Sequence, residues 1–355
     1  MVLVTLSAVS ACKSIDSLST NATTVGLQYR GVDWSSILVE ERNGIVHKNS
    51  QGVALPLEHI LVEAGVNIVR QRVWTVEGDY GIQYNLELAK RATAAGLLFG
   101  LNLHYSDTWT NPSLQDIPTG WPEDIDSLET TLYRYTADLC ETFAAAGLYP
   151  EIITIGNEIV GGMLWPTGKY DEPNNLARLL KAGTSAIRAS RLGDHTKIVT
   201  HLAHGYDSEV QHWFYNMVLG TGLLSTSDWD VIAVSFYPFW GEGATFEALR
   251  STLTSVANQY GKEVQVVETN WPTQCTNPDY PFPADQLNIP LTPAGQVQYI
   301  TQLANTLKQV PGATGLNYWE PSWISNPSLG SSCEQNPMFD STGKAYESLS
   351  VFGTI

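Results

Sequence analysis

From about Gln28 onward, short apolar and β-branched runs alternate with stretches in which apolar residues return every three or four positions, and the pair recurs eight times. The first kind reads as strand and the second as amphipathic helix. The predicted strands are Tyr29–Trp34, Asn67–Trp74, Leu98–Tyr105, Glu151–Asn157, Lys197–His204, Trp229–Tyr237, Glu263–Thr269 and Gly315–Trp319. The clearest helix carries Leu128, Leu132, Tyr135, Leu139 and Phe143 on one stripe and stops near Gly147. Others are expected near Leu57–Ala64, Tyr84–Ala95, Asn174–Ser190, Ser208–Val218, Thr245–Tyr260 and Pro293–Gln309.

Strands that are apolar almost throughout and separated by helices belong to a parallel sheet covered on both faces. Eight units without a glycine-rich phosphate loop after the first strand favour closure, so the expected fold class is α/β, a single (β/α)8 TIM barrel. No shift in composition marks a second domain. The expected organisation is a leader over residues 1–24 and a catalytic barrel over 25–355. The long connections Ser106–Ser127, Gly161–Asn174 and Trp271–Leu291 follow strands, which places them on the C-terminal face, where a barrel builds its site.

The leader, Met1–Ala11, is a short apolar stretch ending in small residues. It looks like a signal peptide without a basic start, and Val9–Cys12 also fits a bacterial lipoprotein cleavage box. A secreted protein is the expectation. Asn21-Ala22-Thr23 is the one N-glycosylation sequon. Elsewhere no run of 18 apolar residues occurs, so no membrane span is expected. Cys275 and Cys333 both fall in loops, and in an oxidising compartment they are expected to pair, leaving Cys140 free and buried in its helix.

The chain of 355 residues has 36 Asp+Glu against 19 Lys+Arg, a formal charge of −17. Nucleic acid is not expected as a partner, since phosphate contacts need clustered cations. The 11 Trp and 16 Tyr supply flat faces that can stack on sugars or fill a core.

In a barrel, chemistry belongs to polar residues at strand ends. In strand order these are Arg70, Arg72 and Trp74; His104, Tyr105, Asp107 and Trp109; Asn157 and Glu158; His201 and His204; Tyr237 and Trp240; Glu268, Asn270 and Trp271; Asn317, Trp319 and Glu320. Glu158 and Glu268 each close an apolar run. A carboxylate there must be paired, with Arg70 or Arg72 as the structural partners, or be functional. Two on strands four and seven favour function, because paired carboxyls across a sugar cleft hydrolyse glycosides. His201 and His204, three apart on a strand, point to opposite faces and cannot grip one metal.

The chain resembles the fungal endo-β-1,4-galactanases of glycoside hydrolase family 53. The resemblance rests on Gly31–Ser36 with Glu40-Glu41-Arg42, Arg70–Trp74, Leu103–Trp109, Ile155–Ile159, Val234–Phe239, Val267–Pro272 and Tyr318–Pro321. It implies a retaining hydrolase of neutral β-1,4-galactan side chains of pectin, with Glu158 as acid/base and Glu268 as nucleophile. Glu158 should be held protonated by burial and the neighbouring anion, and Glu268 ionised by a cation such as Arg72. Asn157 is expected to bond the sugar hydroxyl beside the reacting carbon and Tyr237 to orient Glu268. Trp109, Trp271 and Trp319 are the sugar-stacking candidates, and His104 and Asp107 the cleft hydrogen-bonders, with Asn270 in support. The stretch His201–Gly205 departs from the acidic version associated with fungal relatives. Some bacterial relatives hold calcium after strand seven; here Cys275 stands there, and a disulfide to Cys333 is expected to fasten the loop. No cofactor or metal is expected, and the protein is expected to be a monomer. The alternatives are another barrel glycosidase of the clan, a β-mannanase or cellulase, and a non-catalytic barrel that binds polysaccharide.

Overall fold

The computed structural model describes residues 26–324 and 331–355. The leader, its sequon at Asn21 and Cys12 lie outside the described residues. Eight parallel strands form a closed barrel in sequence order: β1 Tyr29–Asp33, β2 Ile68–Val73, β3 Leu98–Leu103, β4 Ile152–Ile155, β5 Lys197–Leu202, β6 Val231–Ser235, β7 Glu263–Glu268 and β8 Ala313–Tyr318. The ring shuts where Tyr29 pairs with Gly315 and Val32 with Tyr318.

The helices are α1 Ile37–Arg42, α2 Leu57–Glu63, α3 Ile82–Ala94, α4 Ile125–Ala145, α5 Pro173–Ala189, α6 Ser208–Gly220, α7 Phe246–Tyr260 and α8 Pro293–Leu307. Two of them lie between β1 and β2. After β8 the ring is completed by a 3-10 segment, Glu347–Gly353, which packs on α8. On α4 the side chains of Leu128, Leu132, Leu139 and Phe143 are fully buried against the sheet, and the Asp124 side chain caps the first turn by accepting from the Ser127 N–H. Among the described residues no helix is long and apolar enough to cross a membrane.

Strand alternation then decides what enters the barrel. Ile68 belongs to an interior cluster with Tyr29, Ile152, Val199, Val231, Ala233 and Val267. Period two carries the same face of β2 from Ile68 through Arg70 to Arg72, so both guanidinium groups rise toward the C-terminal mouth. The same parity delivers Asp33 on β1, His201 on β5 and Ser235 on β6. Gly31 has no room for a side chain, because a Cβ there would lie 1.7 Å from Asn317 Oδ1 of β8.

Candidate active site

A cleft of about 640 Å³ opens at the C-terminal ends of the strands. Its floor is polar: Asp33, Arg70, Arg72, His104, Asn157, Glu158 and Glu268. Its walls are the β3 loop from Trp109 to Ser113, Tyr237, Phe239 and Trp240 beyond β6, and Trp319 and Trp323 beyond β8.

Several residues just beyond the C-terminal ends of the strands stand where the backbone turns sharply. Tyr105, Glu158, His204 and Glu320 have positive φ angles of 44° to 57°, each within three residues of a strand's end. A non-glycine residue held in that region costs roughly 1–3 kcal/mol and persists only where its surroundings impose it. At Glu158 (φ 53°, ψ 45°) the turn makes the side chain leave β4 at the barrel mouth.

Glu268 ends β7 and is held from two sides. Arg70 Nη2 lies 2.9 Å from its Oε1, and the Tyr237 hydroxyl donates to its Oε2 at 3.0 Å. The Ser235 hydroxyl oxygen lies 3.5 Å from the same oxygen, but its hydrogen is directed to His201 Nε2 at 2.9 Å. Arg70 in turn donates to Asp33 at 2.9 Å and to Asn157 Oδ1 at 3.0 Å, so the cation is fixed before it meets the glutamate. Glu158 is equally buried but has nothing comparable. Its Oε1 has no hydrogen-bond partner among the described residues, and Ser235 is the one side chain that draws its proton affinity down by hydrogen bonding.

This asymmetry sorts the proton. Burial and then the charge of Glu268 push the Glu158 carboxyl up to about 8. Burial also pushes Glu268 up, but the Arg70 guanidinium and the Tyr237 hydroxyl oppose it. Of the pair, Glu158 keeps the proton and Glu268 the charge. Burial, followed by Arg70 and Arg72, holds His104 well below the usual imidazole range. Its Nδ1 accepts from the Thr110 N–H at 3.2 Å, so the proton of the neutral ring sits on Nε2. His201 is neutral for a similar reason, burial and then Arg70, and braces the floor between Asn157 Oδ1 and Ser235 Oγ at 3.1 and 2.9 Å. His204 is the histidine that lines the cleft.

Other placements differ from expectation. Arg72 does not hold Glu268; its Nη1 pairs with Glu320 and lies 3.8 Å from Asp33, because its position at the end of β2 carries it past the β7 glutamate. Its guanidinium centre stands 4.2 Å from the ring centres of both Tyr80 and Trp109. Asp107 is not a cleft hydrogen-bonder: it clamps its own loop and ties it to the one after β2, accepting from the Thr119 N–H at 2.7 Å and from Thr75 Oγ1 at 2.6 Å. Trp271 is no platform, since it is 1% exposed, stacks on Tyr299 and donates to Pro290 O. Asn270 donates to the Trp319 carbonyl at 2.7 Å and so supports the neighbouring loop. Asn157 Oδ1 is fully used by Arg70, Asn102 and His201. Its Nδ2 gives one hydrogen to Thr110 O, leaving the other for a ligand. Trp109 and Trp319 do line the cleft, joined by Trp323, whose ring stacks on Trp109 with centroids 5.7 Å apart. Trp323 stands beyond the end of β8, out of reach of a pattern that looks for candidates at strand ends, and Asp33, which in sequence is only part of the Gly31–Ser36 motif, shares its parity with Gly31 on β1 and so points inward.

Cys275 and Cys333 form a disulfide, and Cys140 is free and buried. Cys333 packs with Tyr237 and Phe239, so the bridge buttresses the wall behind Glu268. Among the described residues no group of three or more His, Cys, Asp or Glu is gathered as a metal site.

The model of glycosyl hydrolase family 53 matches residues 29–352. An arabinogalactan endo-β-1,4-galactanase of Humicola insolens is 51% identical over 331 residues, covering 93% of this chain and all of the relative. That of Thermothelomyces thermophilus gives the same identity and coverage. A solved fungal β-1,4-galactanase structure, 51% identical, superposes with a TM-score of 0.91 over 93% of this chain and 100% of its own. The family 53 catalytic domain of Ignisphaera aggregans, at 29% identity, gives 0.80 over 94% and 97%. With a match running from the first barrel strand to the closing 3-10 segment, this chain belongs to glycosyl hydrolase family 53 and is a glycoside hydrolase.

Proposed function

We propose that the protein hydrolyses internal β-1,4-galactosidic bonds of galactan and arabinogalactan side chains of pectin, with retention at the anomeric carbon, by a double displacement between Glu158 and Glu268. The observation that carries the mechanism is the unequal environment of two buried carboxyl groups at one cleft: Glu158 Oε1 has no hydrogen-bond partner among the described residues and burial raises its proton affinity, while Glu268 is gripped by Arg70 and Tyr237. In the first step the Glu158 proton passes to the glycosidic oxygen as the bond from that oxygen to the anomeric carbon breaks, and a Glu268 oxygen forms an ester to that carbon. Glu158, now ionised, takes a proton from water. The hydroxide oxygen attacks the same carbon, the ester opens, and Glu268 regains its charge. Retention requires the two carboxyl groups to be about 5–5.5 Å apart.

The remaining Asn157 hydrogen and His104 Nε2–H supply donors for sugar hydroxyls, and Trp109, Trp319 and Trp323 supply faces for the rings. The linkage and sugar follow from the galactanase relatives and their 51% identity. A bridge between Cys275 and Cys333 suits an extracellular, oxidising location.

The test is hydrolysis of purified β-1,4-galactan, β-mannan and cellulose by the wild type and by Glu268→Ala. Galactan should be cleaved to oligosaccharides, and the variant should lose turnover by several orders of magnitude while still binding galactan. Cleavage of mannan or cellulose in place of galactan overturns the substrate, and an active Glu268→Ala overturns the nucleophile.

A further inference from the structure

Glu40 belongs to the Glu40-Glu41-Arg42 run of α1, and nothing in the double displacement uses it. It is 2% exposed. Its Oε2 faces His47 Nε2 at 3.1 Å within a pair buried on both sides, and His47 stands edge-on to Phe339. Its other oxygen, Oε1, accepts the Ile324 backbone N–H at 2.6 Å. That amide lies one residue beyond Trp323, across the whole sequence from α1.

A buried acid–histidine pair is a poor device for stability alone. Desolvation offsets most of its attraction, and apolar side chains of equal volume often serve as well. Ile37 and Leu38 already anchor α1 in the core. What an apolar residue at position 40 cannot do is accept a hydrogen bond from the loop beyond β8. That loop carries a cleft ring: Trp323 lines the site and stacks on Trp109 at 5.7 Å, and the Arg72 guanidinium is 5.0 Å from its centre. The loop is pinned again four residues earlier on the same side of the molecule, where Ser36 Oγ donates to Glu320 Oε2 at 2.5 Å and Arg72 binds the other oxygen. The stretch from Glu320 to Ile324 is thus tied at both ends to the segment that begins at Ser36.

We propose that Glu40 is a positioning residue that fixes the Trp323 ring over the cleft, and so sets the affinity for sugar units beyond the bond being cut. The proposal rests on the reading of the cleft as a galactan site. Glu40 touches neither substrate nor either catalytic carboxyl group, so its effect falls on KM with kcat retained.

Three substitutions in the full chain test it. Glu40→Met keeps length and volume but cannot accept the amide hydrogen; Glu40→Gln keeps an acceptor for Ile324; Glu40→Asp keeps the charge but draws the carboxylate back by one methylene. Glu40→Met is expected to raise KM for galactan about fivefold, equivalent to about 1 kcal/mol, with kcat within about twofold of wild type. Glu40→Gln should restore KM, and Glu40→Asp should resemble Met in milder form, which keeps the test open should Met not fold. In a Trp323→Ala background, Glu40→Met should add nothing. Without any sugar, Glu40→Met should alter the near-ultraviolet circular dichroism of the stacked indoles in the same sense as Trp323→Ala, so this result stands apart from whether galactan is the substrate. The proposal is overturned by an unchanged spectrum, by a KM that Gln raises as much as Met, by full additivity with Trp323→Ala, or by a loss confined to kcat.

Discussion

At position 158 a carboxyl group is kept neutral in the fold at a pH where the unfolded chain would ionise it. The sign follows from proton uptake: between the ordinary glutamate value of 4.5 and the folded value of about 8, the native state binds the proton and the unfolded state does not. This group's contribution to stability is therefore greatest below pH 4.5 and is lost as pH rises toward 8. The cost grows steadily with pH between those two values. Glu158→Gln removes the titration while keeping the shape. It should melt a few degrees above wild type at pH 7, by a smaller margin at pH 5, and turn over galactan orders of magnitude more slowly. Calorimetry at the two pH values checks it, and a margin that grows toward acid would contradict the assignment of the proton. Both glutamates were readable in the sequence, because each ends an apolar strand. Their counter-ion was less so: Arg70 and Arg72 share a face, and only the depth of β2 in the barrel decides which meets Glu268 and which meets Glu320. Trp271 misled for a related reason. Strand-end tryptophans look alike in one dimension, and the ring's contact with Tyr299 of α8 depends on packing between distant segments.

All eight strands and the seven longer helices were legible from periodicity. What escaped was α1, six residues that offer too few turns for a 3.6-residue pattern to show, and the 3-10 segment Glu347–Gly353 that stands in for a final helix. The loops were legible as long connections on the C-terminal face, but their internal clamps were not, since Asp107 binds Thr75 and Thr119 through side-chain geometry that no spacing reveals. The bridge between the loops after β7 and β8 closes 58 residues. By chain entropy alone such a loop is worth up to about 4 kcal/mol. Since Cys333 packs on Tyr237, which donates to Glu268, loosening the bridge also reaches the catalytic wall. Cys275→Ala with Cys333→Ala, or reduction with dithiothreitol, is expected to lower Tm and to reduce kcat several-fold. Thermal melts and galactan assays with a thiol count read both effects; a reduced protein that melts and turns over like the oxidised one would show that the loops hold without the bridge.

Across the whole molecule the charge of −17 meets a cleft with no cation to spare. Arg70 and Arg72 are the arginines lining it, and among the described residues no lysine does. Arg70 is matched by Asp33 and Glu268, and Arg72 by Asp33 and Glu320. A uronate polymer would bring one carboxylate per sugar toward this surface and find repulsion at long range and, at short range, guanidinium groups already paired with carboxylates. A neutral galactan chain has no charge for the field to act on. Its binding depends on ring faces and buried donors, which salt does not screen. The Debye length falls from about 30 Å at 0.01 M to about 8 Å at 0.15 M, so any steering by net charge should show over that range. KM for galactan is expected to stay within about twofold between those ionic strengths, because no charge pair forms between enzyme and neutral substrate. Polygalacturonate should be neither cleaved nor inhibitory at 0.01 M salt, where repulsion reaches farthest. Competition by polygalacturonate that disappears on adding salt would reveal an attractive cationic path into the cleft, and the neutral-substrate argument would then fail.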